Sequence, residues 1–479
     1  MKTDRSFLLS EASIATAGQV RQGALLLEDG RIAGIWYRND DGTADYGGTV
    51  TEFTTLSEKV LQDHPDAVHL RFPGKTIMAG AIDTHVHFRE PGMTQKADMA
   101  SESRAAVLGG VTSFIDMPNT NPPATSLERI EEKCRLAEGR CFANWGFHIG
   151  ADNSNPPEIR KWLSGGNDTA FAGVKVFMGS STGNMLVDRG AALSELFSMP
   201  APRILIHSED EQTIKANLEK AKAEFGEDIP MREHENIRSR QACIRSTAKA
   251  LEMAIRLGTR LHVCHVTTAE EVEMIRAAKL HNPEITAETS ANYLWFCDED
   301  YDRLGGLVKC NPAIKTAQDR AALRNALKDG IIDTVGSDHA PHLLPEKQRP
   351  YLSCPSGMPS IQQELAVLLT IAAEENIPLG RVASLISEKA ASLFGIADRG
   401  AIRTGAAADI IVVDTEKEFT VGESETGAAG AAYKCGWTPY CGTKLKGMVE
   451  DVFLNGWHIV SGGTLADGTP RGERLVFRR

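Results

Sequence analysis

"TIMAGAIDTHVHFREPG", residues 76–92, is apolar and β-branched through Val86, then carries His87, Arg89 and Glu90 before Pro91 and Gly92. The first part reads as a β-strand, and the Pro-Gly pair as the turn that ends it. Strand side chains alternate faces, so Asp83, His85, His87 and Arg89 are expected to project to one side. Two imidazoles on one face at a strand's C-terminal end point to a metal site. The alternative is a polar strand end whose histidines are only hydrogen-bonded.

Seven further short β-rich runs follow: "VTSFIDMP" (111–118), "FANWGFHIG" (142–150), "GVKVFMG" (173–179), "RILIHSED" (203–210), "RLHVCHVTT" (260–268), "EITAETS" (284–290) and "IIDTVGSDH" (331–339). Helical stretches separate them, such as "MASESRAAVLGG" (99–110) and "TAEEVEMIRAA" (268–278), the latter opening on Thr268 as N-cap. Eight strands alternating with helices predict an α/β fold, a (β/α)₈ TIM-like barrel rather than an open doubly wound sheet. Both ends of the chain have a different texture. Residues 1–75 read as short strands and turns, with "GALLLEDGRIAGIWY" (23–37) a hairpin turning at Asp29-Gly30. After 400, "GAIRTGAAADIIVVD" (400–414) and "VEDVFLNGWHIVSGG" (449–463) return to strands. The simplest arrangement is a barrel over 76–398 and a small β-domain built from 1–75 and 399–479. No internal repeat or low-complexity segment interrupts it.

Composition sets limits on function. The 479 residues, 42% hydrophobic and 24% charged, are those of an ordinary globular protein. A net charge of −12 argues against a nucleic-acid partner, but not against a small anionic substrate met by a local field. No apolar run reaches the ~20 residues that span a bilayer, so no membrane partner is expected. The start of the chain is too weakly apolar for a signal peptide. Nine cysteines without a C-x-x-C pair fit reduced thiols and a cytoplasmic setting, with Cys264 and Cys310 as small core residues. A homo-oligomer, dimer or tetramer, is expected.

Barrel active sites lie at the C-terminal ends of the strands. There the chain offers His85 and His87 on the first strand, Lys175 on the fourth, His207 on the fifth, His265 on the sixth and Asp338 on the eighth. Each has an ordinary structural explanation; six at one barrel mouth are harder to dismiss. His262 and His265 have opposite parity, so only one is expected to face the axis, and His265 is nearer the strand end. His262 is then placed outside. His148 remains a supporting or substrate-side residue, and His339 alternates away from Asp338. His64, His69, His234, His281 and His458 read as surface or structural.

With these residues in place, the chain resembles the amidohydrolase superfamily: H-x-H on strand one, Lys on four, His on five and six, Asp on eight. "DTHVHFREPG", "DMPNTNPP" and "GSDHAPH" are similar to dihydroorotase motifs. "KVFMGSSTGNM" (175–185) departs from dihydroorotases that carry Asp at the bridging position and looks like the lysine-bridged form shared with hydantoinases and allantoinases.

The resemblance implies two Zn²⁺ per subunit, bridged by a carbamylated Lys175 and a hydroxide. His85, His87 and Asp338 would hold one ion, and His207 and His265 the other. A protonated lysine would repel two dications, whereas its carbamate is an anion with two bridging oxygens. Manganese or cobalt would also suit these ligands. The implied reaction is reversible cyclisation of N-carbamoyl-L-aspartate to (S)-dihydroorotate, as in pyrimidine biosynthesis. The hydroxide would attack the ring carbonyl, with Asp338 the catalytic proton carrier. The substrate would be held by His87, Arg89, Asn119, Asn311 and His342, with the arginine fork meeting a carboxylate. The "SCPSGMPS" stretch around Gly357 resembles a loop that closes over the ring. The alternative for Arg89 is an ion pair with Glu90 or Asp98; for Lys175 it is a barrel salt bridge. Two other readings stay open: an allantoinase or dihydropyrimidinase/hydantoinase-type cyclic amide hydrolase, and a non-catalytic structural homologue.

Overall fold

The computed structural model describes residues 6–166, 169–179, 185–200, 202–422, 427–466 and 468–478. Residues 180–184, part of the "KVFMGSSTGNM" motif, lie outside the described residues.

All eight expected runs form the parallel strands of a (β/α)₈ barrel. We number them β1 (Ala81–Val86), β2 (Val111–Asp116), β3 (Asn144–Phe147), β4 (Gly173–Phe177), β5 (Arg203–His207), β6 (Leu261–Val263), β7 (Thr286–Ser290) and β8 (Thr334–Gly336). Each pairs with the next in sequence order; Ile149–Gly150, just past β3, makes the link to β4. The ring closes where Val86 bridges His339 and the His87 N–H donates to the His339 carbonyl (2.8 Å). The strands are short, and their side chains are buried throughout. Both expected helices are present. Met99–Leu108 is capped by Asp98, and Ala269–Lys279 opens on a capping box between Thr268 and Glu271.

A nine-stranded sheet among the described residues joins the two chain ends. Its Phe7–Thr16 strand runs parallel to Thr76–Ala79, which pairs antiparallel with Ile410–Thr420. The hairpin turns at Asp29 and Gly30, both at positive φ (47° and 79°), as its two-residue loop requires.

Three sequence expectations differ from this arrangement. Thr76–Ala79 does not begin the barrel: it belongs to the terminal sheet, and the chain crosses into β1 at Gly80. A Cβ there would lie 2.1 Å from Thr112 Oγ1, so only glycine allows so close a crossing. Second, Phe53–Asp63 is a helix burying Leu56 and Val60, where only strands and turns were expected. Third, the C-terminal segment is not confined to the terminal sheet. Leu475 and Phe477 pack with Leu205 and Phe394, and Trp437 Nε1 donates to the His342 carbonyl (2.7 Å) near the mouth. Among the described residues no helix is long and apolar enough to cross a membrane.

Candidate active site

The mouth of the barrel collects an arc of imidazoles. Ring centroids of His87 and His85 are 5.5 Å apart, His85 and His265 5.3 Å, and His265 and His207 4.7 Å. The strands deliver only part of this arc. His85 and His207 stand on β1 and β5, and His87 continues the extended run through its bond to His339. Beyond, the chain leaves strand geometry: Arg89, His265 and Asp338 have φ of 65°, 38° and 48°. Non-glycine residues in this region cost conformational energy, and such strain concentrates at functional sites.

These departures correct the parity argument. β6 ends at Val263, and the left-handed turn at His265 brings its ring back to the mouth. His262 is therefore not outside. It is fully buried, with Nδ1 2.9 Å from Thr286 Oγ1 and Nε2 3.6 Å from Glu288. Cys264 likewise is more than a small core residue, because its Sγ lies 3.3 Å from Lys175 Nζ.

Three of the four imidazoles, those of His85, His87 and His207, have one nitrogen held by an outer carboxylate or amide. His85 Nδ1 bonds Glu288 Oε1 (2.7 Å), which leaves Nε2 3.4 Å from Asp338 Oδ1. His87 Nδ1 bonds Asn119 Oδ1 (2.7 Å), with Nε2 3.2 Å from the same Asp338 oxygen. Ligand atoms of His85, His87 and Asp338 lie within 4.8 Å of one another, close enough to hold a metal ion. On the other side His207 Nε2 bonds Glu209 (2.8 Å), itself paired with Arg238, and His207 Nδ1 faces His265 Nε2 at 3.0 Å. His265 Nδ1 is buried without a hydrogen-bond partner among the described residues. Fixing one nitrogen of a histidine and baring the other is how outer carboxylates and amides prepare metal ligands. The donor set fits a metal centre.

The electrostatics agree. Burial opposes charge on His85, as does Lys175, yet Glu288 and Asp338 push its pKa up to about 10. A position that binds a proton so firmly presents the same negative field to a cation. His87 is lowered by burial to about 4, and burial lowers His207 and His265 as well. Burial also works against ionisation of Asp338, but His85 and His87 leave its pKa below the ordinary value.

Lys175 is fully buried on β4, with no carboxylate within ion-pair distance among the described residues; its Nζ meets the Cys264 thiol. The structural alternative, a barrel salt bridge, has no partner here.

Beside the imidazoles lies a small pocket lined by His87, Arg89, Asn119, Asn311 and Asp338, together with Cys310, Ala340, Ser356 and Gly357. Arg89 is 2% exposed and has no carboxylate within ion-pair distance among the described residues; burial lowers its pKa to about 10. Its expected structural partners are taken, Glu90 by Arg140 and Asp98 by Lys434. Arg89 Nε donates to the Pro341 carbonyl (3.1 Å), and one terminal nitrogen lies 3.1 Å from His342 Nε2.

His342 does not line the pocket. It stands behind Arg89, its pKa far below the ordinary value through burial and then Arg89 and Lys96, so the ring is neutral. Nδ1 accepts from Lys96 Nζ (3.0 Å), which makes Nε2 the N–H that donates to the Ser356 carbonyl (3.0 Å). That tautomer, assigned from the network, cannot accept from Arg89. Asn311 Oδ1 is also buried without a hydrogen-bond partner among the described residues.

Glu288 and Glu209 were not singled out in the sequence. Glu288 carried a readable signal, because a carboxylate amid "TAETS" on a buried strand is as odd as Lys175 amid "GVKVFM". His148 is buried with Nε2 on the Thr84 carbonyl (3.0 Å), and His339 is held by Glu102 (2.8 Å); both are structural.

A family model described as "Amidohydrolase family" matches residues 76–458. A dihydroorotase of Methanosarcina mazei is 35% identical over 381 residues, covering 77% of this chain and 80% of that one. An allantoinase of Deinococcus radiodurans is 29% identical over 443 residues, covering 90% and 94%. The L-hydantoinase (dihydropyrimidinase) from Arthrobacter aurescens shares the fold, with a TM-score of 0.86 at 24% identity over 98% of this chain and 99% of that one. The match across the whole barrel, together with the imidazoles and carboxylate gathered at its mouth, leads to one conclusion: the chain belongs to the amidohydrolase family.

Proposed function

We propose that this amidohydrolase is a dihydroorotase, interconverting N-carbamoyl-L-aspartate and (S)-dihydroorotate at the pocket beside the imidazole arc. The observation that carries the substrate reading is Arg89: a buried guanidinium in the pocket wall with no carboxylate partner among the described residues. Leaving such a group unpaired is costly, and the carboxylate of dihydroorotate would compensate it with charge-assisted hydrogen bonds. The coarser reading, a hydrolase acting on cyclic amides, rests on the family and on the dihydroorotase and allantoinase relatives together.

His85, His87 and Asp338 would hold one divalent cation and His207 and His265 a second, with Lys175 as its carbamate between them; zinc suits these ligands best. When bound, the cations would supply Lewis acidity to the ring carbonyl and lower the pKa of water. The chain's own groups would do the rest. Arg89 and Asn119 orient the ring through its carboxylate, and Asn311 Oδ1 accepts from a ring N–H. Asp338, at the pocket floor, takes a proton from the attacking water and returns it to the leaving ring nitrogen. In the cyclisation direction the same carboxylate moves the proton back.

The allantoinase relative keeps a second substrate in view, because allantoin is also opened at a cyclic amide. The test is kcat/KM for dihydroorotate, dihydrouracil and allantoin on purified, metal-loaded protein. A site built around a carboxylate should favour dihydroorotate over dihydrouracil by roughly 10⁴-fold. Preference for either neutral ring would overturn the dihydroorotase assignment and leave the family.

A further inference from the structure

Two buried ammonium groups behind the pocket wall have no place in the chemistry above. Lys347 is 1% exposed, and its Nζ donates to three carbonyl oxygens: Lys309 (2.9 Å), Pro355 (2.8 Å) and Gly357 (2.7 Å). Lys309 is 6% exposed; its Nζ donates to the carbonyls of Tyr351 (2.7 Å) and Cys354 (2.6 Å) and stands 4.0 Å over the Tyr351 ring. Among the described residues neither has a carboxylate within ion-pair distance. A buried ammonium is expensive unless its hydrogens are accepted, and bonds from a charged donor are stronger than neutral ones.

The five accepting carbonyls are not scattered. Four lie in residues 351–357 and one at Lys309, where the Gly357 N–H also donates (2.9 Å). Residues 310 and 311, and 356 and 357, are the parts of these two segments that line the pocket. Gly357 is held at φ 131°, with a Cβ position only 2.6 Å from the Ala340 carbonyl oxygen, so this wall is tightly folded as well as tied. His234 supports it from behind, bonding the Tyr351 hydroxyl and the Cys310 carbonyl (both 2.8 Å).

We propose that Lys347 and Lys309 are a pair of positioning residues that lock Cys310–Asn311 and Ser356–Gly357 into one preformed wall against the substrate ring. The inference rests on the pocket being the site of the cyclic amide. Neither lysine touches the reacting atoms. Their loss therefore loosens the wall and weakens ground-state binding, while Asp338 and the imidazoles keep their geometry.

The test uses the full-length, metal-loaded protein and Lys347→Met, which keeps the length of the stem but removes all three donors. Hydrogen exchange without substrate should speed by roughly tenfold or more at the amides of residues 351–358, with the barrel strands unchanged. On whichever cyclic amide the parent turns over, KM should rise about tenfold while kcat stays within about threefold. Unaltered exchange in 351–358, an unchanged KM, or a kcat that falls while KM holds would each overturn the proposal. If Lys347→Met does not accumulate folded, Lys309→Met carries the same test, since it frees only the Tyr351 and Cys354 carbonyls. A parent that opens no cyclic amide would sink the substrate reading, whereas the exchange experiment would still decide the clamp.

Discussion

The floor and the wall of the pocket are built on opposite principles. On the floor, three of the four imidazoles have one nitrogen already claimed, by Glu288, Asn119 or Glu209; the other nitrogens of His85 and His87 face Asp338, and that of His207 faces His265. On the wall, Arg89 is buried with no carboxylate within ion-pair distance among the described residues, and the neutral His342 behind it cannot accept its proton. On the proposed reading the floor receives cations and the wall an anion. What separates them is whose charge completes the structure: outer protein carboxylates and amides already hold most of the floor, whereas on the proposed reading the wall is completed by a ligand's carboxylate. Chemistry and selectivity should therefore fail separately.

Asp338→Ala should show the floor failing alone. One mouth residue carries little of the core, so the barrel should stay folded by circular dichroism, while turnover falls by several orders of magnitude as cation binding and proton transfer are lost together. Lys175→Ala should bind less than the parental metal complement, with activity partly restored by short carboxylic acids that occupy the bridge. Two retained metals and full activity in that variant would remove the carbamate from the account.

Arg89→Met should break the wall alone. Loss of a charge-assisted pair should cost about 2–5 kcal/mol in transition-state binding of dihydroorotate, read as kcat/KM. Residual dihydrouracil turnover should hardly change. An equal loss on both substrates would mean that floor and wall are not separable.

Glu288→Gln sharpens the comparison within the floor. The amide cannot anchor His85 as the buried carboxylate does, and metal affinity measured by chelator competition should fall about 10–100-fold. A variant with parental affinity would make Glu288 a barrel-packing group only.

The smallest effect should come from a site in neither half. Thr268→Ala removes the cap of the Ala269–Lys279 helix and should cost about 1 kcal/mol in urea unfolding, with metal affinity and kinetics unchanged.

Much of this was legible along the chain. The eight barrel strands declare themselves as short apolar runs between helices, because a strand buried on both faces needs little but hydrophobic residues. Gly80 is a different matter. Nothing in "TIMAGAIDTHV" says that its first four residues pair with Phe7–Thr16 and Ile410–Thr420, since both segments read as β-strand. The Phe53–Asp63 helix was hidden because it buries only two residues, Leu56 and Val60, too few to set a clear period. At the site, parity selected His265, the residue the mouth uses, but for a reason that does not hold: its ring arrives through a left-handed turn, and His262 also points inward.

The sequence by itself determined the fold class and which residue types stand at the strand ends, because alternation and hydrophobic runs are local properties read over a few positions. It also carried a resemblance to the family in His85, His87, Lys175, His207, His265 and Asp338 and the motifs around them. Only the tertiary structure decided which imidazole nitrogens are bare, that Arg89 has no carboxylate partner among the described residues while Glu90 and Asp98 have partners, and that Lys309 and Lys347 donate to the carbonyls of one wall of the pocket. Those are properties of pairs: Glu288 is 203 residues from His85, and the Pro341 carbonyl is 252 from Arg89. Hydrogen bonds and unpaired charges depend on ångström distances across such gaps, and no local pattern encodes them.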